Sequence, residues 1–194
     1  MLKPLNIPGL VASIPRARKT ESRREICAEW CIMWIDFIRL QINNACVVFD
    51  IDDTLVDDDE QRIESICSVY HHCIRNCIPV FLVTARPDGR SNRCETKRML
   101  ERNKISGYSR LYMMPQKMQT REHTWQNISR FKYTARQHIS QHHFIVCCFG
   151  DMWTDHLLLP VHKTMFKELM DNTCTHDCAV WFHEKICYVK LPET

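Results

Sequence analysis

The sequence predicts a single-domain, three-layer α/β/α sandwich on a parallel sheet, and three observations carry that prediction. Short β-branched and aromatic runs recur over residues 47–49, 79–83, 111–114 and 144–149. They are apolar throughout rather than alternating, as strands covered on both faces are. Helical stretches over residues 57–76, 90–103 and 120–140 separate them, and strands alternating with helices at this rhythm make a parallel, Rossmann-like sheet with right-handed crossovers. Two of the runs stop at polar residues, Asp50 and Thr84, and a third leads through Gly150 to Asp151. That places chemistry at the carboxyl edge of the sheet, where open α/β sheets bind ligands.

With 194 residues and 45% hydrophobic content, the chain can bury one sizeable core. A net charge of +3 does not by itself call for a nucleic-acid partner. The 12 cysteines resemble a disulfide framework, but the apolar stretch over 7–14 is too short, and too interrupted by Pro8 and Gly9, for a secretory leader. Reduced thiols in an intracellular, cytoplasmic setting are the expectation. No run approaches the roughly 18 apolar residues of a membrane span.

Taken in order, residues 1–20 hold three prolines and the basic cluster Arg16, Arg18, Lys19, and read as a weakly ordered basic arm. The single domain follows over 21–194, opening with a helix over 21–41 whose Ile26, Trp30, Met33, Trp34, Phe37 and Ile38 recur at helical spacing and are expected to pack on the core. Cys27 and Cys31 share one face of it as packing thiols. The strand ending in Asp50 leads to Asp57-Asp58-Asp59, an acidic turn that reads as a helix start, with the helix running to about Asn76. This stretch is too short for an inserted cap domain. The strand over 79–83 delivers Thr84, Ala85 and Arg86; a basic helix over 90–103 closes at Gly107; the strand over 111–114 stops at Pro115. The helix over 120–140 carries Lys132, and the strand over 144–149 ends in Gly150-Asp151-Met152-Trp153-Thr154-Asp155. A short helix over 163–170 and small strands over 179–182 and 186–189 complete the chain.

Asp50 and Asp52 leave one strand with a single residue between them, so both can turn toward one point above the sheet. Carboxylates gathered there repel unless a cation sits among them. A hard ion with oxygen ligands, Mg²⁺, is implied.

The ordered set Asp50-Ile51-Asp52-Asp53-Thr54, Thr84, Lys132 and Gly150-Asp151 with Asp155 resembles the four motifs of the haloacid dehalogenase superfamily of phosphohydrolases. Phe131-Lys132 followed by Arg136, the run from Gly150 to Asp155, and the ending Val189-Lys190-Leu191-Pro192 are similar to its cap-less acid-phosphatase-like branch, which includes plant vegetative storage proteins. The resemblance covers a catalytic core over about 44–192. It implies a Mg²⁺-dependent phosphomonoester hydrolase with Asp50 as nucleophile and Asp52 as general acid and base. Thr84 and Arg86 would bind the phosphoryl group, and Lys132 would neutralise both it and Asp50. Asp50, the Asp52 carbonyl, Asp151 and Asp155 would serve the metal, and Thr54 would fix the loop. The chain departs from many relatives in carrying Ala85 where they have glycine.

Two other readings stand beside this one. A non-catalytic storage or interaction protein on the same fold is disfavoured by the intact Asp50 and Asp52. A nucleic-acid end-processing phosphatase rests on the basic stretch Arg86, Arg90, Arg93, Lys97, Arg98, Arg102, Lys104, Arg110, which also reads as solvated helix surface. Cys174, His176, Cys178 and His183, and likewise His71, His72, Cys73 and Cys77, lack the paired short spacings of a structural zinc module. The substrate and the oligomeric state are not legible.

Overall fold

The structure is a computed structural model that describes residues 20–119, 124–156, 179–183 and 186–191. Its helices are α1 (Thr20–Arg39), α2 (Glu64–Arg75), α3 (Arg90–Arg102) and α4 (Thr124–Ser140), and its strands are β1 (Ala45–Phe49), β2 (Val80–Asp88), β3 (Arg110–Pro115), β4 (Phe144–Gly150), β5 (Ala179–His183) and β6 (Ile186–Lys190). The strands form one sheet in the order β3-β2-β1-β4-β6-β5. All neighbouring pairs are parallel except β5 and β6, which make an antiparallel edge.

Alternate residues of the strands feed two separate cores. Val47, Phe49, Leu82, Phe149 and Val189 pack under α1, α2 and α3 through Cys31, Ile35, Ile66, Val69, Met99 and Leu100. Cys46, Val48, Phe81, Val83, Cys148 and Tyr188 pack on the other face under Phe131, Ala135 and Ile139 of α4. Helices therefore cover both faces, which is why the strands carry no polar alternation. Phe49 and Phe149 stack across β1 and β4 at 4.6 Å and anchor the strand ends that bear the acids.

Three expectations need correction. First, Asp57-Asp58-Asp59 does not start a helix: the Asp57 carboxylate accepts from the backbone N–H of Asp59 and Gln61 (3.1 and 2.7 Å), closing a turn, and α2 begins at Glu64. A short aspartate side chain bonds its own downstream backbone as readily as it caps a helix. Second, α3 ends at Asn103 with Lys104 left-handed (φ 59°), while Gly107 (φ 86°) turns the following loop. Third, of the six α1 residues expected on the core, Trp30, Trp34 and Ile38 pack against it beside the buried Cys27, Ala28, Cys31 and Ile35, while Ile26, Met33 and Phe37 are exposed. There Cys31, Cys147 and Cys187 are buried in the same core cluster. The expected helix over 163–170 lies outside the described residues, as do Cys174, His176 and Cys178.

Candidate active site at the carboxyl edge of the sheet

Asp50 is the first residue past β1, and its backbone N–H still bonds Phe149 O of β4 (3.0 Å), so its position is fixed by the sheet. The chain then folds into a compact loop. Leu55 N–H bonds Ile51 O (2.8 Å), Ile63 N–H bonds Leu55 O (2.9 Å), and Asp53 adopts φ 53°. An aspartate tolerates that left-handed conformation better than most residues. Thr54 is fully buried in this loop, and among the described residues its hydroxyl has no hydrogen-bond partner.

Two clusters emerge. In the first, Lys132 of α4 reaches under the strand ends, with Nζ 2.9 Å from Asp50 Oδ2 and in contact with Asp155 Oδ1. Asp50, Asp151 and Asp155 are all buried and offer carboxylate oxygens that lie within 4.8 Å of one another. Burial pushes the Asp50 carboxyl well above its ordinary value against the pull of Lys132, and Asp155, Asp151 and Asp52 add repulsion. Asp151 is pushed up to about 7, chiefly by burial and then by Asp155. Burial works against the Lys132 charge too, but Asp155 and Asp50 outweigh it and hold the ammonium above its usual range.

In the second cluster, Asp52 is bound by Arg86: Nε lies 3.0 and 3.1 Å from the two carboxylate oxygens, and Nη2 lies 2.7 Å from Oδ1. The buried Thr84 hydroxyl accepts from Arg86 N–H (3.1 Å) and donates to Asp52 Oδ2 at 3.4 Å. The geometry follows from an irregularity in β2. Thr84 pairs with Met113 and Pro87 with Met114, so Ala85 and Arg86 are extra residues. Such a bulge re-aims a side chain, and here it swings Arg86 over the end of β1. Arg86 Nη1 also lies 3.9 Å from Glu60 Oε1.

The eight residues singled out in the sequence thus lie at one sheet edge: Asp50, Lys132, Asp151 and Asp155 in one buried cluster, Asp52, Thr84 and Arg86 in a second, and Thr54 buried in the loop after β1. Two further residues acquire roles that their sequence positions did not specify. Arg136, one helical turn after Lys132, is buried and donates to the carbonyls of Asp155 and His156, the latter at 2.9 Å. It clamps the turn that carries Asp155. At Gly150 an added Cβ would stand 2.3 Å from Asp155 Oδ2 and 2.4 Å from Asp155 Cβ, so only glycine lets that side chain fold back over the strand. The spacing of Arg136 from Lys132 and the pair Gly150-Asp151 were the available signals.

The acidic cluster fits a hard divalent cation. Its donors are all oxygens, as such ions require, and Asp50 Oδ1 is a buried acceptor with no hydrogen-bond partner among the described residues. No other group of three or more potential metal-ligating side chains converges among the described residues. His71 instead bonds Lys104 O (3.0 Å), and His72 bonds Asp36 (3.0 Å). Of the basic stretch, Arg93 pairs with Asp88 (2.8 Å), Arg102 with Glu60 (2.9 Å), and Arg110 lies over Tyr112 (4.9 Å). No helix among the described residues is long and apolar enough to cross a membrane.

The fold and this edge define a doubly wound α/β protein with a buried acid–lysine centre. No protein-family model matches the chain, and no curated protein does. Among solved structures, the class C acid phosphatase from Bacillus anthracis is similar, with a TM-score of 0.66, 15% identity, and coverage of 91% of this chain and 78% of that one. At that identity the likeness establishes a shared fold.

Proposed function

We propose that the chain is a Mg²⁺-dependent phosphomonoester hydrolase working through an aspartyl-phosphate on Asp50. The observation that carries the reading is the contact of Asp50 with Lys132 inside a group of three buried carboxylates, Asp50, Asp151 and Asp155. A lone buried carboxylate of raised pKa is a poor nucleophile because it is protonated; beside an ammonium and a bound cation it is ionised and aimed. Asp50, Asp151 and the Asp52 carbonyl would hold Mg²⁺, assisted by Asp155. The ion would screen the approach of an anionic phosphate to an anionic nucleophile and orient the phosphoryl oxygens. The acid phosphatase named on the neighbouring structure supports the same reaction class.

We assign the remaining groups roles that agree with their positions. Asp52, at the half-exposed mouth, protonates the leaving alkoxide and then takes a proton from the attacking water. Arg86 holds it in place through Nε and Nη2, while its Nη1 lies 3.9 Å from Glu60 and would leave that carboxylate for a phosphoryl oxygen. The Thr84 hydroxyl sits between Asp52 and the β2 bulge, within reach of the same oxygen. Lys132 neutralises charge on Asp50 and on the transferring group, while Asp155 fixes the ammonium.

The test is turnover of p-nitrophenyl phosphate with Mg²⁺ and with EDTA, using Asp50→Asn as control. The expected result is hydrolysis that EDTA removes and Mg²⁺ restores, and none in Asp50→Asn. Folded wild-type protein that is inert with Mg²⁺ would support instead a non-catalytic protein on this fold.

A further inference from the structure

The acidic run Asp57-Asp58-Asp59 closes a turn that carries Glu60 to the mouth of the site. Glu60 N–H bonds Asp57 O (3.0 Å), Asp57 N–H bonds Gln61 O (2.9 Å), and Asn103 Nδ2, just past α3, donates to Glu60 O (2.9 Å). The carboxylate is held as well: Oε2 accepts from Arg102 Nη2 at 2.9 Å, and Oε1 lies 3.9 Å from Arg86 Nη1. Glu60 is left-handed (φ 56°), a conformation that glycine, asparagine or aspartate takes at less cost. A glutamate kept there points to a use for its longer side chain.

We propose that Glu60 reads the charge of the leaving group, so that the chain takes phosphomonoesters of small neutral or cationic alcohols and disfavours those whose alcohol carries a negative charge. Such a preference presupposes the hydrolase reading above, in which Asp52 protonates the departing oxygen and the alcohol therefore lies on the Asp52 side of the mouth. Arg86 spans Asp52 and Glu60, with Nη2 2.7 Å from the one and Nη1 3.9 Å from the other. The two carboxylates thus stand within about 9 Å of each other, roughly a Debye length at physiological salt. A charge on the first few atoms of the alcohol is felt there.

The balance of charge beside Glu60 is negative. One guanidinium, that of Arg86, stands between two carboxylates, and Asp57, Asp58 and Asp59 precede Glu60 on the turn. Arg102 compensates little, since its side chain is 71% exposed and shares its charge with water. Next to Glu60 a cleft of about 380 Å³ is lined by Glu60, Glu95, Arg98 and Arg102. Its four walls are charged, two of each sign, which suits a small hydrophilic alcohol and leaves the sign of the preference to the turn. An anionic alcohol is turned away by repulsion rather than by shape.

The experiment compares kcat/KM with Mg²⁺ at low ionic strength for three esters of like size, 2-hydroxyethyl phosphate (neutral alcohol), O-phosphoethanolamine (cationic) and 2-phosphoglycolate (anionic), in wild type, Glu60→Gln and Glu60→Asp. Ratios of variant to wild type cancel the intrinsic reactivity of each ester. Relative to the neutral ester, Glu60→Gln is expected to raise 2-phosphoglycolate about two- to fivefold and to lower O-phosphoethanolamine by as much, the effect of one charge about 9 Å away at an effective dielectric of about 40–80. Glu60→Asp, which keeps the charge, should stay near wild type, and about 0.5 M salt should shrink the differences. Equal shifts on all three esters, no shift, or shifts of the opposite sign would overturn the proposal while hydrolysis stands. A folded wild type that hydrolyses none of them, nor p-nitrophenyl phosphate, would strike the hydrolase reading and this one together.

Discussion

Asp50 and Asp52 are separated by one residue yet occupy opposite environments. Asp50 is 6% exposed, among two other buried carboxylates and an ammonium. The Asp52 side chain is 48% exposed, in the fork of Arg86 at the mouth. Charge at the first position interacts through a medium of low polarisability and needs compensation by fixed groups; charge at the second is shared with water. The difference suits a division of labour: the buried group does chemistry that must exclude water, and the half-exposed one exchanges protons with it.

One expected effect comes from removing the space on which the buried cluster depends. Gly150→Ala puts a methyl on Asp155, so Mg²⁺ affinity by calorimetry should drop by at least about tenfold, as for loss of a group that orients a metal ligand. An unchanged affinity would mean that the Asp155 position is dispensable. Next, Asp52→Asn should lower kcat on alkyl phosphates by about 10²–10⁴. The loss should be much smaller on p-nitrophenyl phosphate, whose leaving group departs without a proton. Equal losses on both would assign Asp52 a structural role.

A third way to sharpen the contrast is pH. Asp50 and Asp151 sit above the ordinary carboxylate range in the folded protein, Asp151 at about 7. Folding therefore favours their protonated forms. For Asp151 that stabilisation is complete below the unfolded value of about 4 and is lost as pH climbs through about 7. Thermal melts in EDTA should show falling stability from about pH 5 to about pH 7.5, with Mg²⁺ giving its larger rescue at the higher pH. A melting temperature that ignores both pH and Mg²⁺ would contradict the compressed-charge picture. Smaller still, Arg86→Lys replaces a two-point fork with a point charge, and should shift the pH–rate profile while costing about tenfold or less in kcat. The least effect concerns the thiols. Burial pushes Cys67, Cys73 and Cys148 up to about 12, so among the described cysteines the exposed Cys77 and Cys94 should be alkylated first in the native protein.

How much of this was readable beforehand differs between the two environments. Asp50, Asp151 and Lys132 are legible because each interrupts an apolar run or helix whose frame the parallel sheet sets, and a polar residue ending a buried strand has one place to go. The partnership of Asp52 with Arg86 was not legible, because it depends on two extra residues in β2 after Thr84, and nothing in Thr84-Ala85-Arg86-Pro87 separates a bulge from a strand end. The start of α2 was misread for a related reason, since Asp57 can cap a helix or close its own turn. On α1 the spacing identified the helix and placed Trp30, Trp34, Ile38 and the thiols Cys27 and Cys31 on the core, but it also put Ile26, Met33 and Phe37 there, because apolar residues run further round this helix than the sheet covers. The small Cys27, Ala28 and Cys31 allow the closer approach.

The most direct measurement of the central claim is acid quenching of the enzyme during turnover of a ³²P-labelled phosphate ester, followed by peptide mapping. Label bound in acid-stable, alkali-labile form to the peptide containing Asp50 is the result this account predicts. Mg²⁺-dependent turnover that leaves Asp50 unlabelled at every time point, or that survives Asp50→Asn, would contradict it.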